Sequence, residues 1–208
     1  MCANEDLIAL RRPHKVLVVE DHPIVRQGLS ELIEHESDLS VCGAVPSKSE
    51  ALEVVGRSHP DIAIVDLSLQ DTSGLELVKD IKAQFPHLPV LVLSMHDETL
   101  YAERALRAGA RGYIMKEEAT ERVMTAIRKV LSGEVYLSEK MSSRLLSNIV
   151  SGPAAGESSP VTRLSDRELQ VFELIGRGMG TRKIANSLHL SVKTIETHKE
   201  HIKSKMQL

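Results

Sequence analysis

Five short runs of apolar residues lie in the first two thirds of the chain, and an amphipathic segment follows each of them. A short apolar run bounded by turn-forming residues indicates a buried strand, and apolar residues spaced three or four apart indicate a helix. The predicted strands span residues 16–19, 39–45, 62–65, 90–93 and 112–115. This alternation predicts an α/β fold, a doubly wound sheet of five parallel strands with right-handed crossovers.

Capping residues indicate where the intervening helices begin. A capping box, in which two side chains satisfy free amides at a helix start, is predicted at two pairs: Ser47 with Glu50, and Ser73 with Glu76. The other predicted helix starts are Pro23, Asp97 and Thr120. The apolar face expected for the first helix consists of Ile24, Leu29, Leu32 and Ile33.

The third predicted strand, in the stretch DIAIVDLSLQDTSG, ends in a lone carboxylate, Asp66. Ligands of open α/β sheets bind at the carboxyl ends of the strands. Taken alone, Asp66 is equally consistent with a residue that caps the following turn. Polar residues also follow three other strands, and in a parallel sheet all these ends meet at one edge: Glu20, Asp21, Ser94 and Lys116.

Together these side chains predict phosphoryl chemistry. Three carboxylates at one site repel each other unless a cation neutralises them, and an oxygen-rich site with an open side suits Mg²⁺. Lys116 supplies a compact cation for one phosphate oxygen, and the Ser94 hydroxyl can donate to another. The set would support in-line attack by Asp66 on a phosphoryl group. Each residue alone has an ordinary alternative, such as a solvated lysine or a helix-capping serine, so only their joint occurrence favours a site.

A linker and a second domain follow the predicted sheet. Residues 138–150 have apolar positions at helical spacing and predict a linker helix. The breaker-rich stretch SGPAAGESSP at 151–160 predicts a flexible tether. The expected organisation is a first domain at 14–133, a linker helix and tether at 134–163, and a small helical domain at 164–208.

Three helices are predicted in the last domain. Ser165 and Glu168 match a capping box ahead of the first helix, and Thr181 is predicted to cap a short second one. The third helix runs from Val192 to about Met206. Two short helices with a tight turn before a longer basic helix match a helix-turn-helix.

The longest of these helices has two distinct faces. The arc expected to face the core holds Val192, Ile195, Ile202 and Met206. On the other side, Lys193 near the helix N-terminus suits a phosphate, and Thr197 suits a thymine methyl or a base edge. Glu196 and Glu200 are less expected beside DNA, and would accept from cytosine, pair with a lysine or discriminate against wrong sites. The candidate DNA contacts are Thr181, Lys193, Thr194, Glu196, Thr197, Glu200 and Lys203.

The net charge of −3 hides an asymmetry between the two parts of the chain. Residues from Thr162 onward carry +4 and the preceding residues −7, which favours a polyanion as partner of the second domain. No apolar run approaches the roughly 18 residues of a membrane span, and the N-terminus lacks a signal-peptide pattern. Cys2 and Cys42 fit no paired framework, so we expect reduced thiols in a cytosolic protein.

Four motifs in residues 14–132 resemble the receiver domain of two-component response regulators: VVEDHP, IVDLSLQDTSG, VLSMHD and GYIMKE. The resemblance implies a flavodoxin-like fold in which Asp66 is phosphorylated. It also implies that Mg²⁺ is held by the side chains of Glu20, Asp21 and Asp66 and by the backbone carbonyl of Ser68.

The same resemblance implies a switch. Ser94 would move toward the phosphoryl group, Lys116 would stabilise it, and Tyr113 would change rotamer. Without the resemblance, Tyr113 would be interpreted as an edge-strand aromatic packed on a helix. Gln70-Asp71 stands where the family has a proline, which we expect to affect loop stiffness more than chemistry.

Residues 164–206, and the KTIETH segment in particular, resemble the DNA-binding domain of the LuxR/NarL type. The whole chain thus resembles a NarL/FixJ-type response regulator, which implies a phosphorylation-controlled, sequence-specific DNA-binding transcription regulator. The implied partners are a sensor histidine kinase, double-stranded promoter DNA and a second copy of the chain on activation. The family normally adds a fourth helix after the recognition helix, and we expect this chain to lack it, which weakens the case for dimerisation through the second domain.

On this interpretation the chain is not an enzyme beyond its own phosphoryl transfer and dephosphorylation. The unphosphorylated receiver is expected to mask the recognition helix or to hold a monomer. A phosphatase of the haloacid-dehalogenase type is one alternative, but it needs a second aspartate two residues after the first, where this chain has Ser68. The other alternative is a receiver that acts only through protein contacts, without salt-dependent affinity for duplex DNA.

Overall fold

The structure is a computed structural model that describes residues 12–69, 72–151 and 160–207. The first part, here called the sheet domain, contains β1 (His14–Val19), α1 (Pro23–Glu34), β2 (Leu39–Val45), α2 (Lys48–Ser58), β3 (Ile62–Val65), α3 (Gly74–Gln84), β4 (Val90–Ser94), α4 (Glu98–Ala108), β5 (Gly112–Met115) and α5 (Ala119–Leu131). A linker helix, α6 (Glu139–Ser151), follows. The helical domain comprises α7 (Asp166–Gly176), α8 (Thr181–Ser187) and α9 (Val192–Met206).

The five strands form one parallel sheet in the order β2-β1-β3-β4-β5. The predicted doubly wound α/β fold is therefore confirmed. The chain leaves β1 outward to β2 and then returns to add β3, β4 and β5 on the other side of β1. The point where the winding reverses lies between β1 and β3, and there the crevice for a ligand opens. Glu20 and Asp66 follow these two strands directly.

Two apolar layers enclose the sheet. Side chains of α1 and α5 pack on one face, and those of α2, α3 and α4 pack on the other. All four residues of β3 are buried, as expected for a central parallel strand. In α1, Leu29 and Ile33 are buried as predicted, whereas Ile24 (87% exposed) and Leu32 (42% exposed) face solvent. The helical period is as predicted, but the buried stripe is narrower than the apolar residues suggested.

The three predicted capping boxes have different outcomes. Before α7 the full box forms, because Ser165 Oγ accepts from the Glu168 amide and the Glu168 carboxylate accepts from the Ser165 amide. Before α2, Ser47 Oγ caps the amide of Glu50. The box predicted at Ser73 is wrong: this side chain makes no cap and is buried. It is turned toward the helical domain, where the amide of a glutamine in α7 approaches its hydroxyl.

The helical domain packs its three helices around a small apolar core. Buried side chains come from each helix: Leu169, Ile184, Ala185, Ile195 and Ile202. The prediction that Thr181 caps α8 is wrong: Thr181 is the first residue of the helix, and the preceding Gly180 is the N-cap. Val192, predicted on the core face, is 40% exposed because it lies in the first turn of α9 at the margin of the core.

The helical domain lies against the sheet domain, and one apolar cluster continues from one into the other. The contact is formed by α7 on one side and by α3, α4 and the loop after β4 on the other. The linker helix packs on α4, where Ser138 donates its hydroxyl to Glu98 at 2.6 Å. The tether was predicted at 151–160, and its residues 152–159 lie outside the described residues, as does the substituted pair Gln70-Asp71. Among the helices that the structure describes, none is long and apolar enough to cross a membrane.

Candidate phosphorylation site and DNA-binding helix

The structure brings the predicted acidic residues and Lys116 together at one edge of the sheet. The amide of Asp66 donates to the carbonyl of Val19, so the ends of β1 and β3 lie side by side. Lys116, directly after β5, reaches across to both ends. Its Nζ lies 2.9 Å from Asp66 Oδ2 and 2.6 Å from Glu20 Oε2. The predicted convergence of strand ends is therefore what the fold produces.

These charged groups are buried, and burial changes their ionisation. Asp66 is 2% exposed, and its burial raises its pKa, with a smaller contribution from the nearby Glu20; Lys116 opposes the rise. Burial alone would lower the pKa of Lys116, but the two carboxylates outweigh it and raise that pKa. The site therefore holds a protonated lysine beside several carboxylates, whose negative charge this one lysine does not fully neutralise.

The donor set fits a hard divalent cation. Asp66 Oδ1 is buried and has no hydrogen-bond partner among the described residues. The ligand atoms of Glu20, Asp21, His22 and Asp66 lie within 4.8 Å of one another. Oxygen donors with an unsatisfied buried carboxylate oxygen suit Mg²⁺, which takes few protein ligands and keeps several waters.

Two residues beside this cluster were not predicted from the sequence. His22 Nδ1 lies 2.8 Å from Asp21 Oδ1 and 3.1 Å from Glu20 Oε1. Arg26, one turn into α1, donates to the backbone carbonyl of Glu20 at 2.6 Å. Both hold the acidic loop in place. The only available sequence signal was that His22 directly follows the acidic pair and Arg26 lies in the first turns of the helix after it.

Ser94 and Tyr113, the predicted switch residues, both hold the backbone of His96. Ser94 is fully buried and its Oγ accepts from the amide of His96 at 3.1 Å. The Tyr113 hydroxyl donates to the carbonyl of His96 at 2.7 Å, and burial raises the pKa of this phenol. Ser68, predicted as a metal ligand through its carbonyl, places its hydroxyl 2.9 Å from His96 Nε2. His96 is thus a central residue that sequence reasoning missed.

Gly74 permits the close approach of α3 to the loop that begins at Asp66. A Cβ at this position would meet the carbonyl of Asp66 and lie 2.6 Å from Leu67 Cα. We expect Gly74→Ala to lower the free energy of unfolding by about 2–3 kcal/mol, because backbone must move to accommodate the methyl group. Gly56→Ala in α2, where nothing lies within 4 Å, is the matched control and should gain about 0.5–1 kcal/mol. Urea unfolding measures both, and equal stabilities of the two variants would contradict this account.

All the candidate DNA-contacting residues except Thr181 of α8 lie on α9. Five of them are exposed: Lys193, Glu196, Thr197, Glu200 and Lys203. Of the two expectations for the unphosphorylated receiver, masking of this exposed face of α9 is not what the structure shows, because the helical domain contacts the sheet domain through α7. Thr194 is half-buried and bonds to the capping Ser191. The hydroxyl of Thr181 accepts from Lys199 Nζ at 3.3 Å, so Thr181 helps to position α9.

A second cluster of metal-binding side chain types lies in the helical domain but already has a structural role. Glu168, His198 and His201 approach one another between α7 and α9. The Glu168 carboxylate is bound by Lys205 Nζ at 2.6 Å and by the amide of Ser165 at 2.7 Å. These partners hold its pKa below the usual range despite burial. The cluster therefore joins α9 to the start of α7.

Comparisons with known families agree with this geometry. Residues 16–128 match the response regulator receiver domain, and residues 162–208 match the bacterial regulatory proteins of the luxR family. Over 198 residues the chain is 37% identical to the oxygen regulatory protein NreC of Staphylococcus aureus (strain MRSA252), an alignment that covers 93% of this chain and 91% of the relative.

Solved structures show the same architecture. RcsB from Salmonella enterica serovar Typhimurium, bound to a promoter in the presence of the phosphomimetic BeF₃⁻, is 28% identical and superposes with a TM-score of 0.66 over 95% of this chain and 94% of that one. A LuxR-family two-component response regulator from an Aurantimonas species is 29% identical, with a TM-score of 0.62 over 67% of this chain and 99% of that one. With a receiver domain, a luxR-family domain and a relative similar over nearly its whole length, the chain belongs to the NarL/FixJ-type response regulators.

Proposed function

We propose that this DNA-binding transcription regulator is controlled by phosphorylation of Asp66, with a sensor histidine kinase as the phosphoryl donor and Mg²⁺ as the cofactor. The observation that carries the proposal is the state of the Asp66 carboxylate. One oxygen contacts Lys116, and the other is buried without a partner among the described residues. An oxygen in this state is available to a phosphoryl group and a metal ion.

The reaction assigned to the site is a displacement at phosphorus. Asp66 Oδ1 attacks the phosphoryl group in line with the leaving group, a new O–P bond forms, and the bond to the donor breaks with its electron pair on the donor. Lys116 stays charged and stabilises the negative oxygens of the transferred group, and the Ser94 hydroxyl donates to another oxygen. The same groups serve hydrolysis, in which water attacks the phosphorus of the acyl phosphate, the bond from phosphorus to the Asp66 oxygen breaks with its electron pair on the carboxylate, and inorganic phosphate leaves.

Mg²⁺ would be held by the side chains of Glu20, Asp21 and Asp66 and by the backbone carbonyl of Ser68. When bound, it neutralises charge on the carboxylates and on the transferring phosphoryl oxygens. His22 lies on the open side of the cluster, where it already contacts Asp21. Because the lysine alone leaves this site short of positive charge, the residues present fit the ion.

The helical domain is proposed to bind promoter DNA through α9, with Lys193 on a phosphate and Thr197 toward the bases. Contacts are assigned to Thr181, Lys193, Thr194, Glu196, Thr197, Glu200 and Lys203. RcsB, a structural relative, is bound to a promoter in its solved complex. We infer the same domain limits as the sequence suggested, 14–133, 134–163 and 164–208, a homodimer on activation, and a place in the cytoplasm beside the chromosome.

Selection of duplex DNA tests the whole proposal. The full chain is incubated with random duplexes, with and without acetyl phosphate and Mg²⁺, and the retained sequences are compared. We expect one sequence motif to be enriched, and enriched more strongly with the phosphodonor. Retention of no duplex under either condition would favour a regulator that acts only through protein contacts.

Lys193 is expected to contribute to DNA affinity without contributing to sequence choice. Lys193→Ala should weaken binding to the selected site and to unrelated duplexes by similar factors, and should reduce the slope of log affinity against log salt by about 1. Fluorescence anisotropy over a range of salt concentrations measures both quantities. Lys140→Ala, an exposed lysine of α6, is the control and should leave both unchanged. An unchanged slope for Lys193→Ala would exclude a phosphate contact.

A further inference from the structure

A continuous series of contacts joins the phosphoacceptor loop to the helical domain through His96. Its imidazole lies between the domains, with Nε2 2.9 Å from Ser68 Oγ and Nδ1 2.9 Å from Glu173 Oε2. Its backbone is held by both predicted switch residues, Ser94 at the amide and Tyr113 at the carbonyl. One residue therefore contacts three functional positions of the sheet domain and one glutamate of the helical domain.

Glu173 depends on these partners because little water reaches it. Its side chain is 17% exposed. Its Oε2 also accepts from the Tyr101 hydroxyl at 3.2 Å, and the imidazole of His96 stacks on the ring of Tyr101 with centroids 4.5 Å apart. A carboxylate withdrawn from water is strongly unfavourable unless charged or hydrogen-bonding groups compensate it. The 2.9 Å approach of His96 Nδ1 to Glu173 Oε2 is a close polar contact whose angles are not those of a hydrogen bond. Withdrawal of His96 would leave this carboxylate with the Tyr101 hydroxyl as its only partner among the described contacts.

A second set of ion pairs closes the same interface away from the phosphoacceptor loop. Asp166 accepts from Lys79 at 2.8 Å and from Arg104 at 3.0 Å, and Arg104 also donates to the carbonyl of Val161 at 3.2 Å. These partners hold the pKa of Asp166 below its usual range although burial acts to raise it. None of them touches Ser68, Ser94 or Tyr113 in the described contacts. These ion pairs therefore stabilise the closed interface, but they do not contact the residues that would respond to phosphorylation.

We propose that His96 is the positioning residue through which phosphorylation of Asp66 releases the helical domain from the sheet domain. The proposal rests on the function proposed above. When the Ser94 hydroxyl turns toward a phosphoryl group, its oxygen leaves the amide of His96, and the loop withdraws the imidazole from Glu173. The interface between α7 and the sheet domain then opens.

This mechanism differs from unmasking of the DNA-binding face. The exposed residues of α9 are accessible while the interface is closed. What changes on opening is the orientation that the helical domain is able to adopt, and the α7 surface becomes free. By linkage, a change that weakens the closed interface also favours phosphorylation to the same extent at equilibrium.

Hydrogen exchange of the α7 amides in the full chain tests the proposal. With acetyl phosphate and Mg²⁺, exchange in wild type should accelerate about tenfold, the size expected for loss of one buried polar contact that holds the interface closed. His96→Ala and Glu173→Gln should show the same acceleration without phosphodonor. Glu103→Gln, on the solvent side of α4, is the matched control and should behave as wild type.

The outcomes separate this proposal from the proposed function. Labelling of Asp66 in wild type with α7 still protected would overturn the coupling and leave the phosphorylation site intact. Wild-type protection in both variants would show that His96 and Glu173 do not hold the domains together. Absence of labelling would reject the phosphorylation site, while the variants without donor still decide whether His96 closes the interface. Acceleration in both variants, together with a larger phosphorylated fraction at limiting acetyl phosphate, would support the coupling.

Discussion

Asp66→Asn is expected to abolish labelling by acetyl phosphate and Mg²⁺, because the amide oxygen is a poor nucleophile and cannot replace the buried, unpaired carboxylate oxygen of Asp66. Phosphate-affinity electrophoresis or mass spectrometry of the intact chain measures the labelled fraction. The labelled fraction is expected to fall from most of the protein in wild type to the background level in the variant. The variant should also keep α7 protected from exchange when the donor is present.

The control for this prediction must show that the variant is folded. Burial raises the pKa of Asp66, so the ionised carboxylate reduces stability at neutral pH. The protonated carboxyl of Asp66 therefore contributes to the stability of the folded state at low pH, and this contribution is lost as the pH rises through its raised pKa. A neutral asparagine should make the metal-free protein at least as stable as wild type, as measured by urea unfolding. Asp80→Asn, in a surface ion pair with Lys48, should be labelled normally. Full labelling of Asp66→Asn would place the phosphoacceptor elsewhere.

Lys116→Met is expected to have the second largest effect, on stability and labelling together. Removal of the ammonium leaves Asp66 and Glu20 buried without their shared partner, which should lower the free energy of unfolding by about 3–5 kcal/mol in EDTA. Mg²⁺ should restore much of this loss, because the ion then no longer competes with the lysine for the carboxylates. Labelling should fall by about 10²-fold, since charge on the transferring group is no longer stabilised.

Urea unfolding in EDTA and in Mg²⁺ separates these two roles of Lys116. Lys140→Met, an exposed lysine of α6, controls for loss of a positive charge and should change neither stability nor labelling. Stability unaffected by Mg²⁺ in Lys116→Met would argue against a cation site at the acidic cluster. Normal labelling would remove Lys116 from the reaction.

Much of the sheet domain could be predicted from local pattern. Buried parallel strands are short apolar runs in the sequence, so the bounds of β2 and β3 were predicted correctly from these runs alone. The position of Asp66 beside Glu20 and Lys116 then followed from topology, because parallel strands place their carboxyl ends at one edge. Side-chain chemistry at strand ends is thus a strong signal when several strands contribute to it.

Local pattern was less reliable where the packing of neighbouring elements decides the position of a side chain. Ser73 has the spacing of a cap, but the packing of α3 on β3 and the approach of the helical domain turn it inward. Ile24 and Val192 have the helical spacing of core residues, yet each lies at a helix start that the neighbouring elements do not cover. Periodicity gives the direction of a side chain on its helix, not whether another element lies in that direction.

The sequence by itself determined the elements of this protein, the edge where its charged residues meet and the helix that carries most of its candidate DNA-contacting side chains. Only the tertiary structure decided that His96 joins Ser68 to Glu173, and that α7 rather than α9 faces the sheet domain. The physical reason is that hydrophobic period and turn chemistry act over a few residues. The contact between two domains depends on the orientation in which their finished surfaces fit, which distant side chains determine jointly.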